Sequence, residues 1–248
     1  MHIKKNRRLI IFDLDDTLVN TSDVYWVAKS SFIDVILKNT QLSTSYIDNL
    51  FEEIDTENLL KFGHSPKRYG KTMLDVYKYL LNEGYIQSKN KVENQIVEAG
   101  EIIIKTIPSL LPGAIDLLEW CKTKFTLALV TRGEDELQSK KIQYNSLHDY
   151  FDLIKVVKEK SDSDFLSIIE TLHFQIKDTW IVGDSLKSEI ETGLRIGANC
   201  IYFKYEHPLY NWVQERNYSL LSSSFYYEVN ELKEIPFVLN DNLRKAAV

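Results

Sequence analysis

Three carboxylates and a hydroxyl follow directly after a short apolar run near the start of the chain. The run is Leu9–Phe12, and Asp13, Asp15, Asp16 and Thr17 come after it. A continuous run rich in β-branched and aromatic residues predicts a strand that is buried on both faces. Carboxylates at the carboxyl end of such a strand lie at the edge of an α/β sheet where ligands bind. Two acids roughly 6.5–7 Å apart along an extended chain repel each other, so a divalent cation with oxygen ligands is their natural partner.

Later polar residues follow predicted strands in the same way. Thr131 comes after the apolar run 125–130, Lys160 comes shortly after the run 153–157, and Asp184 comes after the run 179–182. Because the carboxyl ends of parallel strands meet at one edge of a sheet, we expect these side chains to gather there. A hydroxyl, an amine and several carboxylates in one place predict a site for an anionic group together with a metal ion.

Each of these later residues also has a plainer interpretation. Thr131 is a suitable helix N-cap, and the segment around Asp184 is a suitable turn and cap. Lys160 stands in a run with Lys155 and Lys158, any of which is compatible with a solvated surface position. We select Lys160 for the site because a helix is predicted to begin directly after it.

The order of the predicted elements indicates an α/β fold with an insertion. Predicted strands at 9–12, 125–130, 153–157, 179–182 and 199–203 alternate with helices, a pattern typical of a Rossmann-like parallel sheet. We also expect a short strand at 226–229 and a loose tail over 240–248. From residue 19 to residue 107 only helix-period segments occur, among them 43–54, 67–81 and 91–105. The prediction is a core domain over 1–18 and 108–248, and an inserted α-helical cap domain over 19–107.

Composition limits the classes of protein to consider. The chain has 248 residues, 44% of them hydrophobic, and a formal net charge of −6, which argues against a nucleic-acid binder that neutralises phosphates. Cys121 and Cys200 are far apart in apolar surroundings, so we expect buried free thiols. The basic start of the chain is followed by an apolar run that Asp13 interrupts, so we expect no signal peptide, no membrane segment and a cytoplasmic location.

Four motifs resemble those of the haloacid dehalogenase-like hydrolase superfamily. Residues 12–18, Phe-Asp-Leu-Asp-Asp-Thr-Leu, resemble its motif I. Thr131 corresponds to motif II and Lys160 to motif III. Residues 181–185, Ile-Val-Gly-Asp-Ser, resemble motif IV together with Glu189. The resemblance covers nearly the whole predicted core and implies a Rossmann-like core with a helical cap.

The resemblance implies a role for each catalytic candidate. Asp13 would be the nucleophile that forms an aspartyl-phosphate, and Asp15 would be the general acid and then the general base. Thr131 would bind a phosphate oxygen, and the charge of Lys160 would offset that of Asp13 and the transferred group. The dehalogenase branch lacks an acid at the position of Asp15, because a halide leaves without a proton.

The resemblance also implies Mg²⁺ as the cofactor. The ligands would be a carboxylate oxygen of Asp13, the backbone carbonyl of Asp15, and Asp184. Glu189 stands where the family usually has Asp and is longer by one methylene. It would act through water or hold the surroundings of the metal, and its assignment as a metal ligand stays open.

Candidate substrate-binding residues lie in two places. Thr17, Arg132 and Gly133 belong to the predicted edge of the core sheet. His64 and Arg68 belong to the polar and aromatic loop 63–69 of the predicted cap, where an ordinary helix start with Ser65 as its N-cap is the alternative.

Together these features predict a Mg²⁺-dependent phosphatase that acts on a small phosphorylated metabolite. It would be similar to the phosphoglycolate phosphatase-like and nucleotidase-like members of the superfamily. The alternatives are a phosphomutase of the same fold and a non-catalytic binding or regulatory protein. We expect no nucleic-acid or membrane partner, and the sequence leaves the substrate and the oligomeric state open.

Overall fold

The computed structural model describes residues 8–207 and 221–245. The chain forms two compact units. One unit is residues 22–107, and the other combines the chain before residue 22 with the chain after residue 107.

The first of these two units is helical, and the second is built on a parallel sheet. The six strands of the sheet are β1 (Leu9–Phe12), β2 (Thr126–Arg132), β3 (Leu153–Val157), β4 (Thr179–Gly183), β5 (Asn199–Phe203) and β6 (Tyr226–Val229). The helices are α1 (Thr21–Leu37), α2 (Thr44–Phe62), α3 (Pro66–Asn82), α4 (Asn90–Lys105), α5 (Ala114–Lys122), α6 (Asp135–Tyr144), α7 (Asp162–Thr171), α8 (Thr192–Ile196) and α9 (Ile235–Lys245). A π-helical stretch, Leu186–Glu191, precedes α8.

The sheet has the strand order β3-β2-β1-β4-β5-β6, and every neighbouring pair is parallel. This order places β1 between β2 and β4, with Phe12 opposite Leu129 on one side and opposite Val182 on the other. The carboxyl ends of β2, β1 and β4 therefore lie side by side, with Thr131 near the end of β2, Asp13 directly after β1 and Asp184 directly after β4. The predicted parallel α/β fold, including the short strand β6, is confirmed.

All four residues of β1 are buried because apolar layers cover both faces of the sheet. Ile10 and Phe12 belong to the core on the side of α5, whereas Leu9 and Ile11 belong to the core on the side of α7. The alternation follows from the strand geometry, in which successive side chains point to opposite faces. It explains why the run could be recognised as a strand with two buried faces.

The last helix, α9, corrects the expectation of a loose tail. The helix runs through residue 245, and Ile235 and Leu239 are buried in the core beside the sheet. The four-residue spacing of these two side chains places them on one face of the helix. The sequence of this segment looks polar because it contains Asn240, Asp241 and Asn242. A helix that packs against a core needs only one apolar face.

The helical unit packs around aromatic rings from three helices. Phe51 on α2 lies 5.8 Å from Phe32 on α1 and 4.9 Å from Tyr69 on α3, measured between ring centroids. Helix α2 continues well past the predicted end at residue 54. Its second half buries Asp55 and Asn58 rather than apolar residues, so a hydrophobic pattern could not reveal it.

Helices α3 and α4 approach closely at a pair of glycines. A Cβ atom built on Gly100 would lie 2.7 Å from the Cα atom of Gly70, whereas a Cβ atom on Gly70 would lie 3.4 Å from the Cα atom of Gly100. The first distance requires the two backbones to separate, and the second is an ordinary contact.

We therefore expect Gly100→Ala to destabilise the protein and Gly70→Ala to be tolerated. Alanine improves helix propensity by about 1 kcal/mol at either position, but overpacking costs about 1–3 kcal/mol where the backbones collide. Urea unfolding followed by circular dichroism should show Gly100→Ala less stable than the parent by up to about 2 kcal/mol, and Gly70→Ala equal or slightly more stable. Equal stabilisation by both substitutions would contradict the close approach.

Neither cysteine is paired, and both are buried, as expected. Burial raises the pKa of the Cys121 thiol to about 12, so this thiol is not a nucleophile at neutral pH. Among the helices of the described ranges, none is long and apolar enough to cross a membrane.

Candidate active site

A tight loop after β1 positions the first carboxylates. The backbone N–H of Asp13 donates to the carbonyl of Val182 at 2.9 Å, which extends the pairing of β1 with β4 by one residue. The backbone N–H groups of Leu18 and Val19 then turn back to the carbonyl of Leu14 at 2.9 and 3.0 Å. Asp16 adopts a left-handed conformation with φ 57°, which aspartate tolerates better than most residues.

Asp13 is buried and ion-paired with Lys160. The Nζ atom of Lys160 donates to Oδ1 of Asp13 and, at 2.5 Å, to Oε1 of Glu189. The three side chains are only 3–5% exposed. Burial by itself disfavours the charge on Lys160, but the two carboxylates outweigh burial and raise the pKa of its amine. Lys160 is therefore a fixed positive charge beside Asp13.

The other two lysines of the run lie elsewhere. Lys155 forms an ion pair with Asp164 at 2.9 Å, and Lys158 is exposed. The structure thus brings together the lysine that we selected from the sequence and the carboxylate of Asp13.

Glu189 holds Lys160 through one oxygen and the backbone through the other. Its Oε2 atom accepts the backbone N–H of Ser185 at 3.1 Å. Gly183 leaves room for this side chain, because a Cβ atom there would lie 2.5 Å from Cγ of Glu189. Burial raises the pKa of Glu189, opposed by Lys160 and assisted by Asp13. Both oxygens are engaged by donors of the protein, so the geometry favours a holding role over direct metal ligation.

Thr17 joins Asp13 to Asp184. Its hydroxyl lies 3.3 Å from Oδ2 of Asp13 and 3.4 Å from Oδ1 of Asp184, and it accepts the backbone N–H of Asp184 at 3.1 Å. Thr17 is fully buried, so its hydroxyl serves the two carboxylates. The substrate-binding role expected of Thr17 stays a prediction.

Asp184 lies in a strongly negative environment. Burial and the charges of Asp13, Glu189 and Asp16 raise the pKa of its carboxyl well above its ordinary value, and Lys160 offsets only part of the effect. Two carboxylates that share one hydroxyl, with too little positive charge nearby, form a donor set suited to a hard divalent cation.

Asp15 is held from three sides. Its Oδ1 atom accepts Nζ of Lys141 at 2.5 Å and the hydroxyl of Thr21, and its Oδ2 atom accepts Nε2 of Gln138 at 2.7 Å. Burial favours the neutral acid, but Lys141 and the hydrogen bonds prevail and lower the pKa of Asp15. The carboxylate is thereby placed next to the end of β2.

Gln138 connects Asp15 to the residues after β2. Its amide nitrogen donates to the hydroxyl of Thr131 and, at 3.1 Å, to the carbonyl of Arg132. The side chain of Arg132 lies 3.5 Å from Glu159, which is an exposed partner. Thr131 is fully buried near the end of β2, and its role in binding phosphate stays a prediction.

A family model matches most of the chain. The model of the haloacid dehalogenase-like hydrolases matches residues 10–203, which include Asp13, Thr131, Lys160 and Glu189. The chain belongs to this family. The predicted family is therefore confirmed, and the matched range starts and ends in strands of the core sheet.

Curated relatives of this haloacid dehalogenase-like hydrolase are phosphatases. The chain is 27% identical over 207 residues to glyceraldehyde 3-phosphate phosphatase of Pyrococcus furiosus, with 80% of this chain and 81% of that protein covered. It is 29% identical over 199 residues to phosphoglycolate phosphatase of Aquifex aeolicus, with 77% and 82% covered. A solved haloacid dehalogenase-like family hydrolase from Xanthomonas campestris has the same fold, with a TM-score of 0.73, 20% identity and 96% of both chains covered.

The two substrate-binding candidates of the helical unit differ in their surroundings. His64 is exposed and stays a prediction. Arg68 is buried inside the helical unit, where its guanidinium is ion-paired with Asp55, and its side chain is only 4% exposed. The charge of Arg68 is thus already compensated within the unit, and its role in substrate binding stays a prediction.

Sequence reasoning about this hydrolase missed Gln138 and Lys141. They stand one helical turn apart on α6, the helix that follows the strand ending at Thr131. With Ile142 they form a stripe at positions i, i+3 and i+4, which faces the body of the protein in an amphipathic helix. Gln138 and Lys141 could have been identified from this pattern, because they are polar residues on the inward face of the helix that directly follows β2.

Proposed function

We propose that this hydrolase is a Mg²⁺-dependent phosphomonoesterase that works through an aspartyl-phosphate on Asp13. The observation that carries the proposal is the buried carboxylate of Asp13, held between Lys160 and the hydroxyl of Thr17 at the edge of the sheet. A nucleophile in phosphoryl transfer must be fixed in position and must face a region of positive charge. The names of the curated relatives, all phosphatases, support the same reaction.

The donor set fits a magnesium ion. Among residues 8–207 and 221–245, no three histidine, cysteine or acidic side chains form a metal group by themselves. The proposed site needs only two carboxylates, Asp13 and Asp184, with the backbone carbonyl of Asp15, and leaves the remaining positions to water and substrate. When bound, Mg²⁺ neutralises negative charge and lets an anionic phosphate approach these acids.

The reaction divides into two steps with one proton carried by Asp15. In the first step an oxygen of Asp13 attacks phosphorus, the ester P–O bond breaks, and Asp15 gives its proton to the leaving oxygen. Lys141 lowers the pKa of Asp15, and the negative charge of a bound phosphate would oppose this effect, so that Asp15 carries the proton in the complex with substrate. In the second step Asp15 takes a proton from water as the water oxygen attacks phosphorus. The bond from Asp13 to phosphorus then breaks, and phosphate leaves.

Lys160 and Thr131 bind the transferred group in this scheme. Lys160 supplies a fixed charge beside the attacking oxygen, which lowers the repulsion between the carboxylate and the phosphate. The hydroxyl oxygen of Thr131 accepts a hydrogen bond from Gln138, so its own hydrogen is directed elsewhere. A phosphate oxygen is the acceptor that it would serve.

The curated relatives support a class of substrate rather than one particular substrate. The substrates in their names differ, but each is a small phosphorylated metabolite. We propose the same class for this chain, and we propose that the helical unit, residues 22–107, acts as the cap that selects within the class.

The test is phosphate release from para-nitrophenyl phosphate and a panel of small phosphomonoesters, with Mg²⁺ and with EDTA. We expect turnover with Mg²⁺ at least about 100-fold above that in EDTA, restored when Mg²⁺ is added back. Phosphate moved to another position of a substrate without release would indicate a mutase. Folded protein that turns over no compound with Mg²⁺ present would contradict the proposal.

A further inference from the structure

Helix α6 directs two side chains at the carboxylate of Asp15. Gln138 reaches Oδ2 at 2.7 Å, and Lys141 reaches Oδ1 at 2.5 Å, so each oxygen has its own donor from the same helix. Gln138 is 2% exposed and the side chain of Lys141 is 18% exposed. The two donors from α6 therefore fix the plane of the Asp15 carboxylate.

The amide of Gln138 is oriented by its acceptors. Asp15 and the carbonyl of Arg132 can only accept hydrogen bonds, so the nitrogen of the amide must face them. The same nitrogen also lies within hydrogen-bond distance of the hydroxyl of Thr131, so one of its two hydrogens is shared between two acceptors. One buried amide thus connects the proposed acid and base with the proposed phosphate-binding hydroxyl.

Gly133 provides the space that Gln138 occupies. It adopts φ 153°, which glycine accepts and other residues rarely adopt. A Cβ atom at this position would lie 3.0 Å from Cγ and 3.1 Å from Cδ of Gln138. This contact with the amide side chain is a second reason for glycine at position 133, and the substrate-binding role expected of Gly133 stays a prediction.

We propose that Gln138 and Lys141 are positioning residues that orient the carboxyl group of Asp15 for proton transfer to the leaving oxygen. The inference rests on the proposed function, in which Asp15 serves as the general acid. A displacement of about 1 Å in such a group costs about 100-fold in rate, so two donors that fix both oxygens are a substantial contribution.

The test compares two esters that differ in their need for a proton. The nitrophenolate of para-nitrophenyl phosphate leaves readily without one, whereas the phenolate of phenyl phosphate is more basic and depends more on Asp15. The measured quantity is kcat/KM with saturating Mg²⁺, because it reports the steps up to departure of the leaving group and excludes later hydrolysis of the aspartyl-phosphate.

We expect Gln138→Met and Lys141→Met to lower kcat/KM for phenyl phosphate at least about tenfold more than for para-nitrophenyl phosphate. A loss of folded enzyme or a general distortion would lower both values by the same factor, so the ratio separates positioning from stability. If Gln138→Met does not fold, the ratio of the two kcat/KM values measured for Lys141→Met is sufficient for the test.

Two further variants complete the experiment. Lys140→Met changes the neighbouring lysine, which pairs with Glu136 on the exposed face of α6, and should leave the ratio unchanged. Lys141→Arg should restore much of the ratio, because a guanidinium can also bind the carboxylate. If the parent enzyme cleaves both esters and the variants lose both equally, or lose neither, the positioning inference is wrong while the proposed function stands. If the parent cleaves neither of these two esters nor any other compound of the panel, both fall.

Discussion

Asp13→Asn is expected to abolish phosphate release and to prevent formation of any phosphorylated enzyme. The amide has nearly the shape of the carboxylate but is a much weaker nucleophile. Loss of the attacking group should lower kcat by at least about 10⁴-fold on every ester of the panel. Acid-quenched protein from a reaction with para-nitrophenyl phosphate should carry a phosphoryl group on the peptide around Asp13 in the parent, and none in the variant.

Asp16→Asn is the matched control for this prediction. It makes the same chemical change three residues further along the same loop, at a buried position with φ 57° that asparagine also tolerates. With saturating Mg²⁺ we expect it to lose less than about tenfold. Turnover that survives in Asp13→Asn, or phosphorylation elsewhere in the chain, would show that Asp13 is not the nucleophile.

Asp184→Asn is expected to stabilise the metal-free protein while it removes the response to Mg²⁺. Asp184 is surrounded by the charges of Asp13, Glu189 and Asp16, so a neutral amide relieves repulsion. Asparagine keeps an oxygen for the hydroxyl of Thr17. A gain of about 1–2 kcal/mol is typical when a functional but destabilising group is replaced.

The effect of Asp184 on stability should depend on pH with a definite sign. Its pKa is raised in the folded protein above the ordinary value of 3.8, so the folded state binds the proton more tightly than the unfolded state. Stability of the metal-free protein therefore falls as pH rises from 3.8 towards the raised pKa, and the destabilisation is complete above it. The gain from Asp184→Asn should vanish at low pH and be largest at neutral pH.

Thermal unfolding in EDTA and in Mg²⁺ at several pH values measures both effects. The parent should gain stability from Mg²⁺, because an ion that binds only the folded state shifts the equilibrium by mass action. The variant should gain little. A variant that is less stable than the parent in EDTA at neutral pH, or that keeps the full response to Mg²⁺, would contradict the assignment of Asp184.

Local patterns were sufficient for the strands and for the first carboxylates. The apolar run Leu9–Phe12 is buried at all four positions, and the acids after it lie at the edge of the sheet, as expected. The prediction succeeds because a parallel strand covered on both faces must be apolar throughout, whereas the chain that leaves it need not be.

Local patterns failed where polar residues are buried. The second half of α2 carries Asp55 and Asn58 on its inner face, so its hydrophobic period stops before the helix does. The polar run at Asn240 hides a helix that needs only Ile235 and Leu239 to hold it against the core. A buried polar side chain depends on a partner from another element, and the local sequence does not contain that partner.

The family and the parallel sheet could be predicted from the sequence, and so could four candidates for one site: Asp13, Asp15, Lys160 and Asp184. The surroundings of these four residues became known from the folded protein. It showed that Thr17 serves two carboxylates, that Glu189 holds Lys160, and that Gln138 and Lys141 of α6 hold Asp15. The physical reason is that hydrophobic period and motif spacing act along the chain. Hydrogen bonds and ion pairs between elements depend on the strand order, and that order is a property of the folded sheet alone.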